Sequence, residues 1–165
     1  MPPNIEDEDV GSPFGFNVKR HHRALEALFR AVPINTIIDS KMRILGEGEA
    51  DVEFPIDPAH YHGAGGIHGV VHYKAMSDAA FYAANSLFTD RVLMTASFNL
   101  TFVKPAVVGP LVAEGRWISG RKRILIADAR LVDGNGVVVA RGTGTFAPSA
   151  ILLTSLKDYN AAFSQ

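Results

Sequence analysis

The sequence predicts an α+β fold in which one curved antiparallel sheet wraps a single long helix. Three observations point there. Met94, Ala96, Phe98, Leu100 and Phe102 alternate with Thr95, Ser97, Asn99 and Thr101, the period of two that belongs to a strand. Three further strand-like runs follow, separated by glycine- and proline-marked turns, so consecutive strands pair antiparallel. Ahead of them, residues 70–88 form a long helical stretch carrying Ala75, Ala79, Ala80, Ala83 and Ala84. Side chains that small let a sheet curl closely around a helix axis.

At 165 residues the chain reads as one domain. Residues 1–13 are expected to be a disordered acidic tail, 14–150 the domain proper, and 151–165 an amphipathic C-terminal tail. From Val18 to Val32 the pattern is helical, with Leu25, Leu28 and Phe29 on one side. Pro33 stops that helix. The cluster Lys19-Arg20-His21-His22-Arg23 reads as a solvated helix start. Residues 36–56 read as a strand or a bent strand pair, with Gly46-Glu47-Gly48 as a turn or bulge. After the strand ending at Lys104-Pro105 come Leu111–Ser119, Ile124–Val132 and Val137–Phe146. Asp133-Gly134-Asn135-Gly136 forms the last hairpin turn, and Pro148 is expected to end the last strand.

Composition narrows the function. The net charge is −1, which provides no electrostatic basis for nucleic-acid binding. The absence of cysteine excludes disulfides, thiolate metal sites and a cysteine nucleophile, and suits a cytoplasmic location. No apolar run is long enough for a membrane span, and the acidic start lacks the apolar core of a secretory signal.

The chemistry concentrates in Gly63-Ala64-Gly65-Gly66-Ile67-His68-Gly69, which opens the long helix. A glycine loop at a helix start presents free N–H groups and the positive end of the helix dipole to a ligand oxygen. Asp78 interrupts the same helix. Backbone amides at His68 and Gly69 can hold an oxyanion while Asp78 activates water, which points to attack on an acyl carbonyl. The plainer reading of Asp78 is an i,i+4 ion pair with Lys74. His60, His62, His68 and His72 are dense, but no metalloenzyme spacing is present and no metal is expected. No Gly-Lys-Ser/Thr follows the glycines, so they are not a P-loop. Arg121, Lys122 and Arg123 read either as a solvated strand edge or as a clamp for phosphates.

The helix-opening segment and its surroundings resemble the hotdog-fold acyl-CoA thioesterases of the phenylacetate-degradation type. Gly65, His68, Gly69 and Asp78-Ala79-Ala80-Phe81 match that family's glycine-histidine loop and acid-bearing helix. Asn99 to Pro105, Gly120-Arg121 and Leu131 to Ala140 match more softly, and the similarity spans roughly residues 36–147. Three departures stand beside it. His62 occupies the family's Asn position, and Val70 its second glycine. The spacing from His68 to Asp78 is one residue long, so a second register puts Ser77 at the acidic position.

The resemblance implies a thioester hydrolase for a medium-chain or aromatic acyl-CoA. Asp78, His62, His68 and Gly69 would be its catalytic set, with His62 as an orienting donor. Ser77, Phe81, Tyr82, Asn99, Arg121, Lys122 and Arg123 would bind substrate, with Met76 beside Phe81 and Tyr82 in the acyl pocket. No cofactor is expected beyond the coenzyme A of the substrate. The resemblance also implies a site shared between subunits, and open sheet edges independently favour a homodimer or a tetramer of dimers. The alternative is a non-catalytic acyl-CoA-binding module. A hydratase would need a paired His and acid, for which no motif is present.

Overall fold

A computed structural model describes residues 17–165. The expected acidic tail at residues 1–13 lies outside the described residues. Helix α1 (Val18–Ala31) is capped by Asn17, whose side chain accepts the Arg20 N–H at 2.9 Å. It stops before Pro33, which opens a short 3₁₀ turn. Strands β1 (Lys41–Gly46) and β2 (Glu49–Phe54) form a hairpin whose turn holds Gly48 at φ 81°. Helix α2 (Gly69–Asn85) follows. Strands β3 (Arg91–Phe102), β4 (Leu111–Ser119), β5 (Leu125–Val132) and β6 (Val138–Leu152) come next, and helix α3 (Lys157–Phe163) ends the chain. The strands form one six-stranded sheet in the order β1-β2-β4-β5-β6-β3, and every neighbouring pair is antiparallel.

The sheet curls around α2. Ala75, Ala79, Ala80, Ala83 and Ala84 are buried against it, together with Met76. The approach is closest at Gly115 of β4, where an added Cβ would lie 2.1 Å from the Ala79 carbonyl oxygen. Backbone therefore meets backbone, and no side chain fits between them. The inward residues of β5 (Leu125, Ala127, Ala129 and Leu131) and the fully buried Phe146 of β6 complete the core.

Two local readings need correction. The cluster at the start of α1 is not solvated throughout, because His21 is fully buried. Its Nε2–H donates to the Asn85 carbonyl at 2.9 Å, and its Nδ1 accepts the Tyr159 hydroxyl at 2.8 Å. Burial holds its pKa down at about 4, so the ring is neutral. The last strand does not stop at Pro148. It runs to Leu152, with Pro148 paired opposite Leu93 of β3. The segment after it comprises the strand end, a 3₁₀ turn and α3, with Tyr159 buried against α1 beside His21.

The two sheet edges differ. The β1 edge is covered by α1, and Glu26 accepts the Ile44 N–H at 2.9 Å. At the other end β3 pairs with β6 alone and leaves Met94 and Phe102 more than half exposed. A bulge between Thr95 and Ser97 interrupts the expected alternation there.

Candidate active site

The chain entering α2 is tied down by its own backbone. Asp57 caps a 3₁₀ turn at Pro58–His60, accepting the Ala59 N–H at 2.8 Å. Tyr61 and Ile67 then face each other across an isolated bridge. It is flanked by His62 N–H to the Gly66 carbonyl and His68 N–H to the His60 carbonyl, both at 2.8 Å. Gly65 turns the loop at φ 82°, a conformation that strongly favours glycine. The glycine-rich segment is thus a pinned hairpin-like loop that delivers the chain to the helix start.

His68 caps α2, and its Nδ1 accepts the Val70 N–H at 3.1 Å. His62 makes the equivalent contact, its Nδ1 accepting the Ala64 N–H at 3.1 Å. A neutral ring accepting at Nδ1 carries its proton on Nε2, so each histidine retains an Nε2–H donor. The N–H of Gly69, the first helical residue, has no acceptor among the described residues. It sits at the positive end of the helix. Gly69 is also pressed by Phe102 of β3, whose Cζ would lie 2.8 Å from a Cβ at that position.

Loop, helix start and the end of β3 enclose a cleft of about 850 Å³. His62, Gly66, Gly69 and His72 contribute polar groups, while Tyr61, Phe102 and Val107 are among its apolar walls. Lys104 is the one cationic side chain among the lining residues. His72 is buried, with its Nδ1–H donating to the His68 carbonyl at 3.3 Å and its ring edge-on to Phe102. Burial lowers its pKa, so it is neutral at pH 7 with its Nε2 lone pair available. The place of His72, Phe102 and Lys104 in the cleft wall is missed by the sequence reading. Their common feature is a long-range meeting of β3 with the start of α2.

Asp78 lies further along α2. Its Oδ2 accepts from Lys74 Nζ at 2.6 Å, so the i,i+4 pair is formed. Burial raises the Asp78 pKa, and the Lys74 ammonium opposes that rise without cancelling it. Asp78 in turn helps to raise the Tyr82 hydroxyl, for which burial is the larger cause. Asp78 stands nine residues beyond Gly69 in the same helix, about 13 Å along the axis at 1.5 Å per residue. One chain therefore brings His62 and Gly69 to the cleft and leaves Asp78 apart from them, while His68, expected to offer its amide to an oxyanion, spends that N–H on the His60 carbonyl and is not among the lining residues.

The remaining candidates are dispersed. Ser77 is half-buried, and its hydroxyl donates to the Lys74 carbonyl at 3.2 Å. Phe81 packs edge-on against Tyr82 and Phe146, and Tyr82 against Phe29. Tyr82 and Met76 are buried in the core and are not among the cleft's lining residues. Asn99 faces a separate groove of about 590 Å³ lined also by Arg116, Arg130 and Arg141. Arg121, Lys122 and Arg123 are exposed in the turn between β4 and β5, where the Arg121 guanidinium lies over the Trp117 ring. Among the described residues, no group of three His, Asp or Glu side chains is placed to hold a metal ion. No described helix is long and apolar enough to cross a membrane.

Comparison with known proteins agrees with this geometry. Residues 64–140 match the model of the Thioesterase superfamily. A candidate esterase of Saccharolobus solfataricus is 29% identical over 119 residues, which cover 72% of this chain and 79% of that protein. The E. coli PaaI protein from the phenylacetic acid degradation operon superposes with a TM-score of 0.74 at 18% identity, covering 82% of this chain and 97% of that one. A thioesterase family protein from Silicibacter pomeroyi gives 0.72 at 20% identity, covering 77% and 96%. Sequence likeness to the Thioesterase superfamily across the helix-opening loop, α2 and the strands that wrap it, joined to a shared architecture over most of the chain, shows a hotdog fold.

Proposed function

We propose that this protein is an acyl-CoA thioesterase that hydrolyses a medium-chain or aromatic acyl-CoA to the free acid and coenzyme A. The observation that carries the reading is the unpartnered Gly69 N–H at the positive end of α2, opening on an apolar cleft with a single lysine among its lining residues. The apolar walls suit an acyl or pantetheine chain, and Lys104 suits a phosphate. Arg121, Lys122 and Arg123 are a second cationic group for the nucleotide end.

In this reading the thioester oxygen lies against Gly69 N–H, with the Nε2–H of His62 or His68 as a further donor. Asp78 takes a proton from water as the water oxygen bonds to the carbonyl carbon. The tetrahedral oxyanion is held by the amide, the C–S bond breaks, and the departing sulfur takes the proton back from Asp78. The chemistry needs no cofactor. The separation of about 13 Å along one helix requires the Asp78 of a second copy. The uncovered β3 edge is where two copies would join into one longer sheet, giving a homodimer or a tetramer of dimers. We place the protein in the cytoplasm, where acyl-CoA substrates are available and a cysteine-free chain is suited.

The reading is tested by thiol release from a panel of acyl-CoAs, with wild type and Asp78→Asn side by side. Release by the wild type and its loss in the variant is the expected result. Unchanged release in Asp78→Asn rejects the base. Tight coenzyme A binding with no release from any acyl-CoA selects the non-catalytic module, which the neutralising Lys74–Asp78 pair favours.

A further inference from the structure

We infer that Lys74, seated against Phe29 of α1, is a positioning residue that holds Asp78 in a single orientation, and that α1 therefore belongs to the catalytic apparatus. The inference rests on the reading of Asp78 as the base. Three observations carry it. Lys74 Nζ meets Asp78 Oδ2 at 2.6 Å, and its side chain is only 11% exposed, so this is not a wet surface pair. The ammonium also lies 5.2 Å from the centroid of the Phe29 ring, a cation–π contact from a different helix. Phe29 is itself buried and set edge-on to Tyr82, one turn beyond Asp78.

The ammonium is thus held by two partners. A long, flexible side chain in solvent would sample many rotamers and orient nothing. Here the Phe29 ring fixes the ammonium, and the ammonium fixes one carboxylate oxygen. Oδ1 has no hydrogen-bond partner among the described residues, which leaves it available to a water molecule. The titratable groups facing Asp78 are Lys74 and Tyr82, both of α2, and α1 contributes the Phe29 ring beside Lys74. Phe29 lies outside residues 64–140, the stretch shared with the Thioesterase superfamily. The support is therefore supplied by this chain's own N-terminal helix.

The test uses the full-length protein and two readouts, a carbon NMR titration of the Asp78 carboxyl and the pH dependence of kcat/KM for acyl-CoA hydrolysis. Removing an opposite charge at hydrogen-bond distance raises a carboxyl pKa by about one to three units. Lys74→Met is expected to move the Asp78 titration and the acid limb of the rate profile upward together by that amount. Phe29→Leu moves both the same way by less, and Lys74→Arg restores both. An Asp78 titration that stays put in Lys74→Met overturns the inference while leaving the base reading intact. An acid limb that persists at wild-type rate in Asp78→Asn overturns the base reading and the role of Lys74 with it. A Lys74→Met variant whose rate falls equally at all pH values, with an unmoved limb, reduces Lys74 to a structural residue and also overturns the inference.

Discussion

The ring of Phe102, at the end of β3, occupies the space that a side chain at position 69 would need: a Cβ on Gly69 would lie 2.8 Å from Phe102 Cζ. The first residue of α2 and the last residue of the edge strand are therefore fitted to each other, and both line the cleft. Gly69→Ala forces the ring aside and disturbs the wall beside the proposed oxyanion donor. Loss of one such donor typically costs about 10²–10³ in turnover. A displaced donor should fall at or below the lower end of that range, with a circular-dichroism melt close to wild type because alanine suits a helix start.

Asp78→Asn keeps the shape of the side chain and removes the base. Turnover should fall by about 10²–10⁴, the usual weight of a general base. Native fold should persist by circular dichroism, since only one oxygen of the carboxylate is engaged in the described structure.

A shared site makes a stricter prediction. Neither Gly69→Ala nor Asp78→Asn alone is expected to turn over efficiently. When the two variants are unfolded together in equal amounts and refolded, half the dimers carry one chain of each kind. Each mixed dimer has one undamaged site, so about a quarter of wild-type activity should return. Met94→Lys together with Ala96→Lys, on the exposed stretch of β3, should yield monomers by sedimentation and abolish turnover.

His21 predicts how stability depends on pH. Its pKa is near 4 in the folded protein and near 6.5 when exposed. Between those values the unfolded chain binds the extra proton, so stability rises with pH across that window and is lost as the medium is acidified. The full span corresponds to about 3 kcal/mol. Urea melts from pH 7 to pH 4 should show that slope, and His21→Gln should flatten this share of it.

Gly115→Ala addresses the core. Its Cβ would collide with the Ala79 carbonyl, and backbone cannot rotate away as a side chain does. Overpacking of this kind costs about 1–3 kcal/mol, and the backbone contact puts this site at the upper end. A lowered midpoint in urea with an unchanged slope checks it.

What could be read ahead of the structure were features written locally. The small residues of α2, the period of two in β3 and β5, and the Asp133-Gly134-Asn135-Gly136 turn all act within a few residues of themselves. His21 could not be read this way, because its partners Asn85 and Tyr159 lie 64 and 138 residues away. In the sequence it is one more polar residue in a basic run. Pro148 looked like a stop because proline cannot donate to a ladder. At the outer end of β6, opposite Leu93, the strand continues through it. The loop, His62, His68 and Gly69 were legible as a unit because they adjoin in the chain. His72 and Lys104 were not, since only the return of β3 to the helix start brings them together. The Lys74–Asp78 pair was visible as spacing, but its enclosure by Phe29 depends on where α1 docks.

Glu26 has a consequence at a larger scale. By taking the Ile44 N–H it blunts one margin of the sheet, and α1 roofs the same margin. A molecule with two sticky margins can polymerise without end, whereas one with a single sticky margin pairs once and is finished. If copies join through β3 as proposed, the Glu26 carboxylate would act as a chain terminator, keeping that strand-to-strand union finite.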